Sequence, residues 1–79
     1  MKEYREKILQ ILQEINPYED ITEESDLIGE EILDSTSILV LVTELEETYG
    51  IFIDEKLIIP ERFASISAIA ELVMRLIRE

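Results

Sequence analysis

Apolar residues recur at helical spacing in three separate stretches of this chain, and that pattern limits the fold more than any other feature. Tyr4, Ile8, Ile11, Leu12 and Ile15 form the first stripe, widened by Leu9, with charged and polar residues between them. Residues three and four apart lie on one face of an α-helix. The predicted helix runs from about Lys2 to Ile15 and stops at Asn16-Pro17. Proline disfavours helix in the residue before it and has no N–H to extend the ladder. The second stripe is Ile38, Leu41, Val42, Leu45 and Tyr49, in a helix predicted from about Ser35 to Tyr49 with Gly50 as its C-terminal stop. The third is Ile66, Ile69, Leu72, Val73, Leu76 and Ile77, with Ser65 as a cap and Arg75 and Arg78 in the last turn, where positive charge complements the helix dipole.

Between the second and third stripes, Ile51-Phe52-Ile53 is too short to assign by period; Ile51 and Ile53 can point inward with Phe52 out. Pro60 suits the first position of a short helical turn through Phe63. The expectation is an all-α fold: a small four-helix bundle of three long helices and one short, residues 1–79 forming one domain. No internal repeat or low-complexity tract interrupts it.

A long connection joins the first two helices. Residues 17–34 contain the acids Glu19, Asp20, Glu23, Glu24, Asp26, Glu30 and Glu31, with Leu27, Ile28, Ile32 and Leu33 as apolar anchors and Gly29 permitting a tight turn. Loops of this length in small domains are functional or disordered, and the anchors argue for order. The acids do not form a metal motif: Asp20 to Glu31 lacks the alternating Asp/Asn ligands and central glycine of an EF-hand. No metal site is expected.

Charge is segregated. The net charge is −12, and from Ile8 to Glu55 there are fourteen acids and no Lys or Arg. Such a field repels nucleic acid and anionic membranes and steers basic partners. Apolar residues make up 47% of the chain, too many for a disordered one, and there is no cysteine for a disulfide or thiolate metal site. No apolar run approaches membrane-spanning length, and the amphipathic N-terminus is not a signal peptide. A cytoplasmic monomer that neither inserts in membranes nor binds nucleic acid is expected.

The chemistry centres on Leu33-Asp34-Ser35-Thr36-Ser37, where the acidic connection meets the second helix. Asp and Ser cap helix N-termini, and an anion is stabilised at that end. One reading is an ordinary cap. The other is a serine placed for modification. The chain contains no histidine, so Ser35 has no internal Ser-His partner and its activation would fall to another protein. Leu39 and Val40 lie outside the core stripe with Thr36 and Thr43. Glu44, Glu46 and Glu47 follow, so this side reads as a mixed apolar-acidic contact surface.

These features together resemble the acyl carrier protein family, including peptidyl and D-alanyl carriers. The resemblance covers essentially the whole chain. It rests on Asp26-Leu27-Ile28 and Ile32-Leu33 leading to Asp34-Ser35, then Leu41-Val42, Leu45, Glu46-Glu47, Tyr49-Gly50-Ile51 and Ile53, and finally Pro60, Phe63, Ser65-Ile66 and Ile69. It implies that Ser35 carries a covalent 4′-phosphopantetheine arm from coenzyme A, its phosphodiester lying at a helix N-terminus among free N–H groups. The arm's thiol would hold acyl or aminoacyl groups as thioesters. Asp34 would cap the helix and help position Ser35. The implied partners are a phosphopantetheinyl transferase, loading enzymes and downstream synthases or transferases with basic docking surfaces. They would meet Thr36, Leu39, Val40, Thr43, Glu44, Glu46, Glu47 and Phe52. The chain would carry cargo without being an enzyme.

Two positions depart from the family pattern. Thr36 stands where leucine commonly follows the modified serine, and Val40 where fatty-acid carriers typically have an acid. Polyketide, nonribosomal-peptide and aminoacyl-transfer pathways therefore stand beside fatty-acid synthesis as settings. The alternative to the carrier is an unmodified acidic helical adaptor that binds a basic partner through the second helix.

The clustered like charges generate a prediction. Screening of exposed charges grows with ionic strength, so the melting temperature should rise from low to moderate salt, with sodium and divalent salts acting nonspecifically. A melting temperature that does not move with salt would rule out significant repulsion.

Overall fold

The computed structural model describes residues 2–78. Among them are three α-helices and no strand: α1 spans Lys2–Ile15, α2 Ser35–Tyr49 and α3 Ile66–Arg78. The amphipathic pattern puts each on the core as expected. Helix α1 buries Ile8, Ile11 and Leu12, α2 buries Leu41, Val42 and Leu45, and α3 buries Ile66, Ile69, Ala70, Leu72 and Val73. Helix α1 packs against both α2 and α3. Tyr4 of α1 and Tyr49 of α2 pack as tilted rings with centroids 5.6 Å apart, and burial pushes the Tyr49 phenol up from its usual range. The result is a small helical bundle measuring 33 × 25 × 19 Å.

The ends of the helices follow their sequence signals. The Asn16 N–H donates to the Leu12 carbonyl at 2.9 Å, and Pro17 goes no further. Gly50 adopts left-handed φ 64°, ψ 38° and donates its N–H to the Glu46 carbonyl, the arrangement glycine takes beyond a helix without a Cβ penalty. Ser65 Oγ accepts from the Ala68 N–H at 3.1 Å, which caps α3.

Two expectations change. The short fourth helix is not an α-helix: Glu55–Leu57 and Pro60–Arg62 are single 3₁₀ turns, and the buried Phe63 ring fastens the segment to the core. Ile77 is not part of the buried stripe but 43% exposed, whereas Leu76 beside it packs against the core.

The connection between α1 and α2 is held by backbone as much as by side chains. Leu27 is fully buried, its N–H donates to the Ala64 carbonyl at 2.9 Å, and its carbonyl accepts from the Leu33 N–H at 2.9 Å. Ile32 and Leu33 are buried as expected, Ile28 only partly, and Ile21 adds a buried anchor. Ser25, a buried polar residue, accepts from the Thr22 N–H at 3.0 Å. The acids here do local structural work. Asp26 accepts from the Gly29 N–H, and Glu30 accepts from the Asp26 N–H, each at 2.9 Å. A Cβ at Gly29 would meet the Asp26 carboxylate, so a larger residue there would displace that side chain from its bond to the Gly29 N–H.

The left-handed residue of this turn is Glu31, at φ 58°. That conformation costs a non-glycine residue about 1–2 kcal/mol, against about 0.5–1 kcal/mol of extra chain entropy for glycine. Glu31→Gly should therefore stabilise the protein by up to about 1 kcal/mol. Urea unfolding should show a higher midpoint with an unchanged slope; a lower midpoint would mean that the Glu31 side chain makes a stabilising contact.

Candidate functional site

Leu33 and Asp34 deliver the chain into α2. Asp34 has extended backbone, φ −108° and ψ −176°. Its carbonyl accepts from the Ile38 N–H at 2.9 Å, and its Oδ1 accepts from the Ser37 N–H at 2.8 Å. These are the two bonds of a helix N-cap. The Ser37 N–H, and secondly the Ser37 side chain, hold the Asp34 carboxyl below its ordinary pKa. Ser35 is then the first helical residue, and it is exposed. Its hydroxyl therefore stands at the positive end of a fifteen-residue helix.

One electrostatic expectation is revised. The N–H groups at this helix end are not all free for an anion, because Asp34 already takes that of Ser37. A phosphate on Ser35 would share the helix end with a carboxylate. It would project outward, with the dipole but not the full set of N–H donors behind it.

An apolar groove of about 440 Å³ opens beside Ser35. Ile28 and Leu33 contribute to it from the connection, Ile38 and Leu39 from α2, and Ile58, Ile59 and Pro60 from the segment before α3; Asp34 and Ser35 also line it. Sequence reasoning missed this groove. Ile28 and Ile38 read as core and Ile58-Ile59 fell on no period, yet their apolar character without a helical partner was the available signal.

The other expected contact residues divide. Thr36, Val40, Thr43 and Glu47 recur at spacings of three and four along α2 and are exposed on one side. Leu39, 58% exposed, lies between this side and the groove. The Thr43 hydroxyl donates to the Leu39 carbonyl at 3.1 Å. Glu44 is half-buried. Phe52 is 74% exposed but follows the far end of α2, roughly 20 Å along the axis from Ser35 at 1.5 Å per residue. Glu46 does not belong to the outward surface. It is half-buried, and its Oε2 accepts from the Ile53 N–H at 2.8 Å, so it pins the strand-like Ile51–Ile53 segment against α2.

Among the described residues, no group of three or more His, Cys, Asp or Glu is placed to hold a metal ion, and no helix is long and apolar enough to cross a membrane. No family model, curated protein or solved structure matches the chain.

The Asp34 cap has a pH signature. Its pKa is depressed in the folded state, so the ionised cap stabilises the fold above the unfolded-state pKa. That contribution disappears as pH falls through the folded value. Asp34→Asn keeps a neutral cap. Wild type should melt above Asp34→Asn at neutral pH, and the gap should close as pH falls through and below the ordinary carboxylate range. A gap constant over that range would show that ionisation of Asp34 contributes nothing.

Proposed function

We propose that the chain is a phosphopantetheine-dependent carrier, with Ser35 as the modified residue. The observation that carries this reading is the placement of Ser35: an exposed hydroxyl at the start of α2, fixed by the Asp34 cap and bordering an apolar groove. The resemblance to acyl carrier proteins supplies the identity of the group. The Pro60–Arg62 turn is then the reduced counterpart of that family's short third helix.

The residues fit such an arm. Ser35 Oγ is open to an approaching transferase, and no histidine is needed in the chain. In the modification, Ser35 Oγ would attack the β-phosphate of coenzyme A. Its proton would pass to the transferase's base, and the phosphoanhydride bond would break with adenosine 3′,5′-bisphosphate leaving. The bound arm supplies a thiol that holds cargo as a thioester. The chain's own part is to hold the attachment point rigid, shelter apolar cargo in the groove, and present α2 to successive enzymes.

Thr36, Leu39, Val40, Thr43 and Glu47 would form the docking surface, with Glu44 at its edge and Phe52 a separate contact at the far end. Exposed ion pairs contribute only about 0–1 kcal/mol each, so docking would be weak, fast and salt-sensitive. Leu39 and Val40 make this surface apolar near Ser35, which favours partners with an apolar centre and a basic rim.

The test is intact mass after incubation with coenzyme A, magnesium and a broad-specificity phosphopantetheinyl transferase. A gain of one phosphopantetheine, absent in Ser35→Ala, is expected. A folded chain that gains nothing with several transferases would overturn the carrier reading and favour the unmodified adaptor.

A further inference from the structure

A second surface lies away from Ser35. From Lys56 to the C-terminus the chain has four bases, Lys56, Arg62, Arg75 and Arg78, against three acids. This inverts the balance of the rest of the molecule. Three of these bases line one groove of about 700 Å³ between the Pro60–Arg62 turn and α3. On α3, Ala68, Glu71, Met74, Arg75 and Arg78 fall on one face, opposite the buried stripe. Ala68 and Met74 are half-buried and give the groove an apolar floor, while Arg75 and Arg78 are exposed at its rim. Among the described residues the one ion pair within 4 Å is Arg5 with Glu23. Arg62, Arg75 and Arg78, which line the groove together with Glu61 and Glu71, therefore have no carboxylate within ion-pair distance among those residues.

We propose that this groove docks an acidic amphipathic segment of a partner protein, its aliphatic side chains over Ala68 and Met74 and its carboxylates on Arg62, Arg75 and Arg78. Planar guanidinium groups match carboxylates in paired hydrogen bonds. The chain's negative charge does not forbid this partner at physiological ionic strength. There the Debye length is about 8 Å, against a molecule 33 Å long, so the local balance governs. A second copy of the chain is disfavoured, since a twofold pairing would set this groove against itself and arginine against arginine. A nucleic acid is disfavoured, since Glu61 and Glu71 line the groove beside the arginines and would repel its closely spaced phosphates. The surface is separate from α2, so a segment bound here leaves Ser35 accessible.

The test is an NMR titration of the full chain with a synthetic amphipathic helical peptide of Glu, Leu and Ala, at about 0.15 M salt. Amide shifts should centre on Arg62, Ala68, Met74 and Arg75 and leave Ser35 to Glu47 unmoved. Arg75→Gln and Arg78→Gln should each weaken binding about twofold to fivefold, the range of an exposed charge contact. Glu71→Gln should tighten it, a gain that loss of folding cannot produce. Shifts on α2, no binding, or affinities indifferent to these three substitutions would overturn the proposal. So would equally tight binding of a single-stranded oligonucleotide in the groove, or self-association of the chain through it.

Discussion

Leu27 is the point on which the arrangement around Ser35 depends. Its side chain is fully buried, and both of its backbone polar groups are used, one by Ala64 just before α3 and one by Leu33 just before α2. A buried backbone group left unpaired costs a large part of its desolvation free energy, so this pairing fixes the connection in one register. Leu33 is thereby held beside the segment preceding α3, Asp34 falls at the cap position, and Ser35 becomes the first residue of α2. The groove follows from the same closure, since its walls come from the three segments that meet there. A connection without that anchor would leave the serine at the frayed end of a helix.

The helices were legible because each carries its own local signals. Asn16-Pro17, Asp34-Ser35, Gly50 and Ser65 act through backbone hydrogen bonds within a few residues of themselves, and the apolar stripes act through a period that any window reveals. What escaped the sequence is tertiary. Ile21 is an isolated apolar residue among polar neighbours, and only the packed structure makes it an anchor. Glu46 reads as one more surface acid, yet the turn after Gly50 brings the Ile53 N–H to it from seven residues away. The apolar stripe of α3 continues through Ile77, but the core ends before it does. The position of Ser35 was legible, being fixed by a cap; the groove beside it was not, because its walls come from three separate segments of the chain.

The two halves of the molecule's charge have different neighbours. The acids of the α1–α2 connection are partly consumed in turns, as Asp26 and Glu30 are, whereas the exposed Glu47 of α2 has no such bond and lies on the side facing outward. The arginines of the α3 groove are likewise left out of the ion pairing within the described residues. Charges that form no intramolecular pair add little to stability and keep their full capacity for an external one. In the proposed carrier that separation would be useful: one side would meet basic surfaces next to Ser35, and another would stay available to an acidic segment.

Salt should then act on folding and on the proposed docking with opposite signs. The core is apolar and the one ion pair among the described residues lies outside it, so screening should remove mainly repulsion within the fold and strengthen it. The same screening would weaken attraction between the exposed faces and the partners proposed for them. A fold held together by charge pairs would lose both stability and binding as salt rises. Here apolar burial and backbone bonds such as those of Leu27 hold the scaffold, and the charges remain outside it, where ionic strength would tune the proposed association without loosening the position of Ser35.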